Sequence, residues 1–165
     1  MVLPARPEVG KERYLSVSKG INGKLRKKPE DFNVEEINST NKKAHWIWMK
    51  ENENGKHSIV KLTAKNWDTH VLVKELSRKL GIGQKAIGFA GTKDKRAITT
   101  QYFSLMARQQ DIEKINLDHV NIEFCHRTIK PIRLGNLVGN KFTIKISDVE
   151  GGRKNIEKLI EELDN

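Results

Sequence analysis

The chain has 165 residues, 36% hydrophobic and 32% charged, with 31 Lys and Arg against 21 Asp and Glu and one cysteine, Cys125. That length suits a single domain burying roughly two-thirds of its unfolded surface, and periodic apolar blocks exclude global disorder. The lone cysteine excludes an intramolecular disulfide, the histidines lack metal-ligand spacing, and neither a signal peptide nor a bilayer-length apolar run is visible, so a cytoplasmic protein without metal, cofactor or membrane partner is expected.

In chain order, residues 1–20, with Pro4 and Pro7, lack sustained periodicity and read as a mobile segment; the folded part is expected over 21–165. Ile21 to Leu25 reads as the start of a strand, and Pro29-Glu30-Asp31 as a turn, because proline restricts the residue before it. Phe32 to Ile37 reads as a strand whose period of two puts Phe32, Val34 and Glu36 on one face. His45 to Lys50 and Ser58 to Leu62 flank a polar turn and predict an antiparallel hairpin. The tryptophans at 46, 48 and 67 read as packing residues.

Asp68 predicts an N-cap for a helix over Thr69 to Leu80, with Leu72, Val73, Leu76 and Leu80 on one face, a Glu75/Lys79 pair and Gly81 as the stop. Lys85 to Ala90, Ala97 to Met106 and Val120 to Thr128 read as strands, and so does Lys141 to Ser147, where Phe142, Ile144 and Ile146 share one face. The chain closes on helical spacing at Ile156, Leu159, Ile160 and Leu163. Short-linked strands outnumber helices, so the fold class is α+β: a mixed, largely antiparallel sheet with flanking helices.

Residues 1–100 hold 21 basic and 11 acidic residues, whereas 101–165 hold 10 of each. The first hundred residues are thus the expected contact surface for a polyanion, above all nucleic acid.

Within Gly91 to Arg96, one carboxylate, Asp94, is flanked by Lys93, Lys95 and Arg96, cations that favour its ionised form and suit phosphates. Composition leaves two readings open: a surface turn with local ion pairs, or a carboxylate acting on a nucleotide. Phosphate-loop chemistry is excluded, since Gly81, Gly83 and Gly88 miss G-x-G-x-x-G and no glycine precedes Lys and then Ser or Thr.

The run Gly88-Phe89-Ala90-Gly91-Thr92-Lys93-Asp94-Lys95-Arg96-Ala97-Ile98-Thr99-Thr100-Gln101 resembles the signature of the TruD family of tRNA pseudouridine synthases. Pro29-Glu30-Asp31-Phe32-Asn33-Val34-Glu35-Glu36 is similar to that family's P-E-D-F-x-V-x-E block, and Gly139-Asn140-Lys141-Phe142 to its G-N-x-F block. Asn66-Trp67-Asp68-Thr69 is similar to archaeal-type members. Arg26 stands where the family often has Lys, which keeps the charge but changes the donor geometry.

The resemblance implies a pseudouridine synthase-like catalytic domain, a tRNA partner, uridine 13 as target and Asp94 as the catalytic carboxylate. Pseudouridine formation breaks N1–C1′ and joins C5 to C1′, and a carboxylate acts in it either as nucleophile at C1′ or as base at C2′. Phe142 then stacks on the flipped base, or else packs with Ile144 and Ile146; Asn140, on the same face, reads the base edge. Glu36 either orients a basic partner near Asp94 or simply pairs with a nearby cation. Lys93, Lys95 and Arg96 contact phosphate or Asp94.

The family continues with a P-N-Y-F-G-x-Q-R-F-G-like motif and an insertion domain not found in this sequence. By resemblance, therefore, residues 21–165 are an N-terminal portion of the catalytic domain, truncated before that insertion. The alternative expectation is a catalytically incomplete fragment that acts only as an RNA-binding module.

Overall fold

A computed structural model describes residues 20–37 and 50–164. The described strands are β1 (Phe32–Ile37), β2 (His57–Lys65), β3 (Ile87–Phe89), β4 (Ile98–Leu105), β5 (Val120–Thr128) and β6 (Gly139–Ile144); the helices are α1 (Thr69–Leu80), α2 (Gln109–Ile112) and α3 (Gly152–Asp164). The strands form one mixed sheet in the order β5-β2-β4-β1-β6, with β3 also pairing β4. Only β1 and β4 run parallel, in the register Asn33↔Ile98 to Glu35↔Thr100; the other pairings are antiparallel.

Helix α1 follows from its sequence. The Asp68 carboxylate accepts from the His70 and Val71 backbone N–H groups at 2.9 and 3.1 Å, and Gly81 ends the helix in the left-handed region at φ 64°. Leu72, Val73 and Leu76 are buried against Val60, Leu62 and Ala64 of β2 and Phe103 and Leu105 of β4. These residues recur with period two along the strands, so α1 covers one sheet face. Ile59, Ala90 and Ile132 form a smaller cluster on the other face, and Phe32, Val34 and Ala97 a third.

The predicted hairpin is replaced. Its first strand, apart from Lys50, lies outside the described residues, and so do Trp46 and Trp48. Both edges of β2 are taken: Ser58 to Leu62 pair with Leu105 to Gln101 on one side and with Arg127 to Ile122 on the other. Ile21 to Leu25 is not a strand either. Its backbone enters the left-handed region at Asn22, with Arg26 following at φ 55°, and only Lys24 bridges to Ser147. Glu75 pairs with Arg78 at 2.7 Å, one residue nearer than the predicted Lys79.

The stretch from Lys85 gives a 3-10 turn at Gln84–Ala86 before the short β3. The last predicted strand begins earlier, at Gly139, and ends at Ile144. Its alternation is as read, but Phe142 and Ile144 are exposed, because β6 pairs only with β1 among the described residues.

The described residues divide into two compact units, one within 25–145 and one holding 20–24 and 146–164. In the latter, Lys24 and Ser147 exchange backbone hydrogen bonds at 2.7 and 3.0 Å, and Asn22 Nδ2 donates to the Glu150 carboxylate at 2.8 Å. The closing α3 starts at Gly152 and none of its side chains is buried. No helix among the described residues is long and apolar enough to cross a membrane.

His57 opens β2 as a buried imidazole. Desolvation lowers its pKa below the usual 6.5, and the neighbouring charges of Arg127 and Lys56 lower it further. The unfolded chain therefore binds a proton near pH 6.5 that the folded chain refuses, so this group's contribution to stability is intact above pH 6.5 and declines as pH falls below it. The thermal midpoint is expected to drop between pH 7 and pH 5.5 on the order of a few degrees, and a His57→Gln variant to show a flatter profile across that window.

Candidate active site at the β1–β6 end of the sheet

The site assembles within the 25–145 unit around three sequence blocks. In the first, Pro29 opens a 3-10 turn that Asp31 caps, its carboxylate accepting from the Lys28 N–H at 2.9 Å. The Asp31 carbonyl also accepts from the Lys145 N–H at 2.7 Å, tying the turn to the end of β6. Arg26, before the turn, is left over the Phe32 ring, its Cζ 3.8 Å from the centroid. From there Arg26 Nη2 donates to Asp94 Oδ1 at 2.9 Å. A planar guanidinium stacks and donates at once, which a lysine ammonium does not do.

The second block is the loop 91–96 between β3 and β4. Its Lys93 is drawn inward. The Lys93 backbone N–H donates to Thr69 Oγ1 at 2.9 Å in the first turn of α1, and its Nζ meets Glu36 Oε1 at 2.7 Å. Both charged side chains are almost wholly buried, 4% and 1% exposed. Glu36 Oε2 accepts the Tyr102 backbone N–H at 2.8 Å, so each of its oxygens has a donor. Asp94 follows directly, pointing outward with its carboxylate 42% exposed.

The third block lies on β6. Asn140 sits opposite Glu36 in the register and Phe142 opposite Val34, which puts all four on one face. Phe142 meets Phe32 edge to face, with centroids 6.0 Å apart, and is 53% exposed. Asn140 Oδ1 is buried without a partner among the described residues.

The structure thus joins Arg26 to Asp94, Glu36 to Lys93, and Asn140 and Phe142 to the same strand pair. It does not gather the basic loop residues about Asp94. The cation at that carboxylate is Arg26, distant in sequence, because Lys93 is committed to Glu36 and Arg96 reaches the Lys27 carbonyl at 3.3 Å. Lys95 is exposed.

Three participants escaped sequence reading. Phe32 looked like one more apolar strand residue, yet it sits in the P-E-D-F block. Thr69 looked like the first residue of a helix, yet it closes the Asn66-Trp67-Asp68-Thr69 string. The Tyr102 backbone N–H has no sequence signal.

Thr69→Val is expected to leave the part-buried Lys93 N–H without an acceptor and to cost about 1–3 kcal/mol, with Thr69→Ser recovering most of it. Denaturant midpoints give the cost. Amide exchange at Lys93 localises it, and unchanged exchange in the valine variant would refute the tether.

The family model for "tRNA pseudouridine synthase D (TruD)" matches residues 8–165. Curated relatives designated "Probable tRNA pseudouridine synthase D" include those of Methanococcoides burtonii, 39% identical over 154 residues, and Methanosarcina mazei, 41% identical over 154 residues; each alignment spans 93% of this chain. A crystal structure of the "Putative tRNA pseudouridine synthase D (TruD) from Methanosarcina mazei" superposes with a TM-score of 0.79 at 39% identity over 92% of this chain. The chain spans about a third of these relatives' length, 33% in each case.

Proposed function

Because this chain belongs to the tRNA pseudouridine synthase D (TruD) family, we propose that it supplies the catalytic carboxylate, Asp94, of an enzyme converting a uridine of tRNA to pseudouridine, at position 13 by resemblance. The observation that carries this reading is the state of Asp94. Arg26, itself stacked on Phe32, fixes Oδ1, while the carboxylate stays open to solvent. A carboxylate held in one orientation with an oxygen to spare is equipped to act at a sugar carbon.

In this proposal the uridine leaves its stack and lies against Phe142, which recovers part of the unstacking cost. Asn140 hydrogen-bonds the base edge. Asp94 acts at C1′ as nucleophile or at C2′ as base, N1–C1′ breaks, the base turns, and C5 bonds C1′ before losing its proton. Glu36, through Lys93, keeps the loop in place, and Lys95 and Arg96 meet RNA phosphates. The residues 21–165 act as one part of the catalytic domain, and a longer protein supplies the remainder of the cleft.

Tritium release from [5-³H]uridine-labelled tRNA tests this. A protein carrying this sequence at the length of its relatives releases tritium, and Asp94→Ala stops the release; undiminished release by that variant refutes the assignment. The one-third coverage favours a second reading, in which this chain by itself is an RNA-binding module. That reading requires tRNA binding with steep salt dependence and no tritium release at either length.

A further inference from the structure

The sheet face opposite α1 carries a cleft of about 500 Å³, within the usual range of ligand sites, that the Asp94 chemistry does not use. One wall is the backbone from Lys85 to Phe89 and the other runs from Pro131 to Leu134. The walls are fixed where they meet: a Cβ on Gly88 would fall 2.2 Å from the Ile132 carbonyl oxygen, so bare backbone meets bare backbone. The Ile132 N–H is held by Ser104 Oγ at 2.9 Å.

Three features define what fits. His57 lines the cleft, is nine-tenths buried, and its Nδ1 has no partner among the described residues. Kept neutral by burial and by Arg127 and Lys56, the imidazole offers one donor and one acceptor. Lys85 and Arg133 are exposed at the lining, pair with no acid among the described residues, and no carboxylate lines the cleft. Leu134, 73% exposed, adds apolar surface, whereas the Phe89 ring turns to the other face, against His70 of α1 and Phe103. Cations, an uncharged polar ring and an exposed apolar side chain together match a nucleotide: phosphate at the cations, base edge at the His57 imidazole, base face on Leu134.

The position is also informative. β3 runs directly into the loop that presents Asp94, and the Gly135 N–H donates to the Ala90 carbonyl at 2.8 Å, joining the second wall to that loop. We propose that this cleft holds a second nucleotide of the RNA, distinct from the reacting uridine, with its phosphate between Lys85 and Arg133. The proposal rests on the tRNA reading of the Asp94 site and extends it to the other sheet face.

The test is photo-cross-linking of 4-thiouridine-substituted tRNA, mapped by mass spectrometry, together with a Lys85→Ala/Arg133→Ala double variant, whose exposed positions leave the fold intact. Cross-links are expected within 85–89 or 131–134. The double variant is expected to bind tRNA about tenfold more weakly, with the log–log salt slope reduced by about 2. Uridine monophosphate is expected to suppress these cross-links at concentrations where inorganic phosphate does not.

Absence of cross-links from both segments, or parental binding by the double variant, overturns the proposal. Equal suppression by inorganic phosphate reduces the cleft to an anion site and overturns base recognition. Suppression by an acidic peptide but not by the mononucleotide assigns the cleft to a protein partner and overturns it too. Cross-links here alongside tritium release by Asp94→Ala protein remove the catalytic assignment and leave the cleft standing.

Discussion

Alanine in place of Asp94 is expected to lower tritium release at least about a thousandfold, the range typical of a positioned acid–base or nucleophilic group. Stability is expected to stay within about 1 kcal/mol, because the Asp94–Arg26 pair is solvent-exposed on both sides and such pairs contribute little. That separation of activity from stability is what marks Asp94 as chemical. Its loss leaves Arg26 stacked on Phe32, so the surrounding geometry has a second support. Urea midpoints measured beside the tritium assay decide the matter: a variant that is both inactive and unfolded identifies Asp94 as structural instead.

Removal of the Glu36 carboxylate should have the opposite signature. Glu36→Ala strands the Lys93 ammonium in a site where it is 4% exposed and also deprives the Tyr102 N–H of its acceptor. Breaking a buried pair from one side costs about 3–5 kcal/mol, a large share of a small domain's stability. Replacing both partners, as in Glu36→Leu with Lys93→Met, is expected to recover the part of that loss due to the stranded ammonium, while the Tyr102 N–H still lacks its acceptor. A double-mutant cycle on urea midpoints measures the coupling. If the single and double variants prove equally destabilised, the pair is not the unit that holds the loop.

Much of the fold was legible because it is written locally. α1 has its cap, its stripe and its glycine stop within fourteen residues, and β1 and β5 have the bounds read for them in the sequence. What escaped is non-local. Nothing in Ser58 to Leu62 says that β4 and β5 take both of its edges, and a neighbouring aromatic run is the natural wrong partner. Alternation along β6 likewise reports that one face is apolar without reporting that the strand lies at an edge.

The candidate site divides the same way. A carboxylate in a basic loop drew attention to Asp94, but in a run of Lys and Arg each cation looks solvated, and only the fold distinguishes buried Lys93 from exposed Lys95. Arg26 is invisible as a partner of Asp94 until β1 and β4 are laid parallel.

The central place of β1 also sets an order of assembly. Its partners in β4 lie 65 residues downstream and those in β6 102 to 112 residues downstream, so both pairings close long loops before any contact rewards them. The nearer contacts of β2, α1 and β4 have less chain to close. As the chain leaves the ribosome, the helix-covered half can consolidate while β1 waits; Arg26 and Asp94 can meet only after β4 has emerged, and Phe142 joins Phe32 later still. The aromatic wall is therefore the last part of the site to assemble.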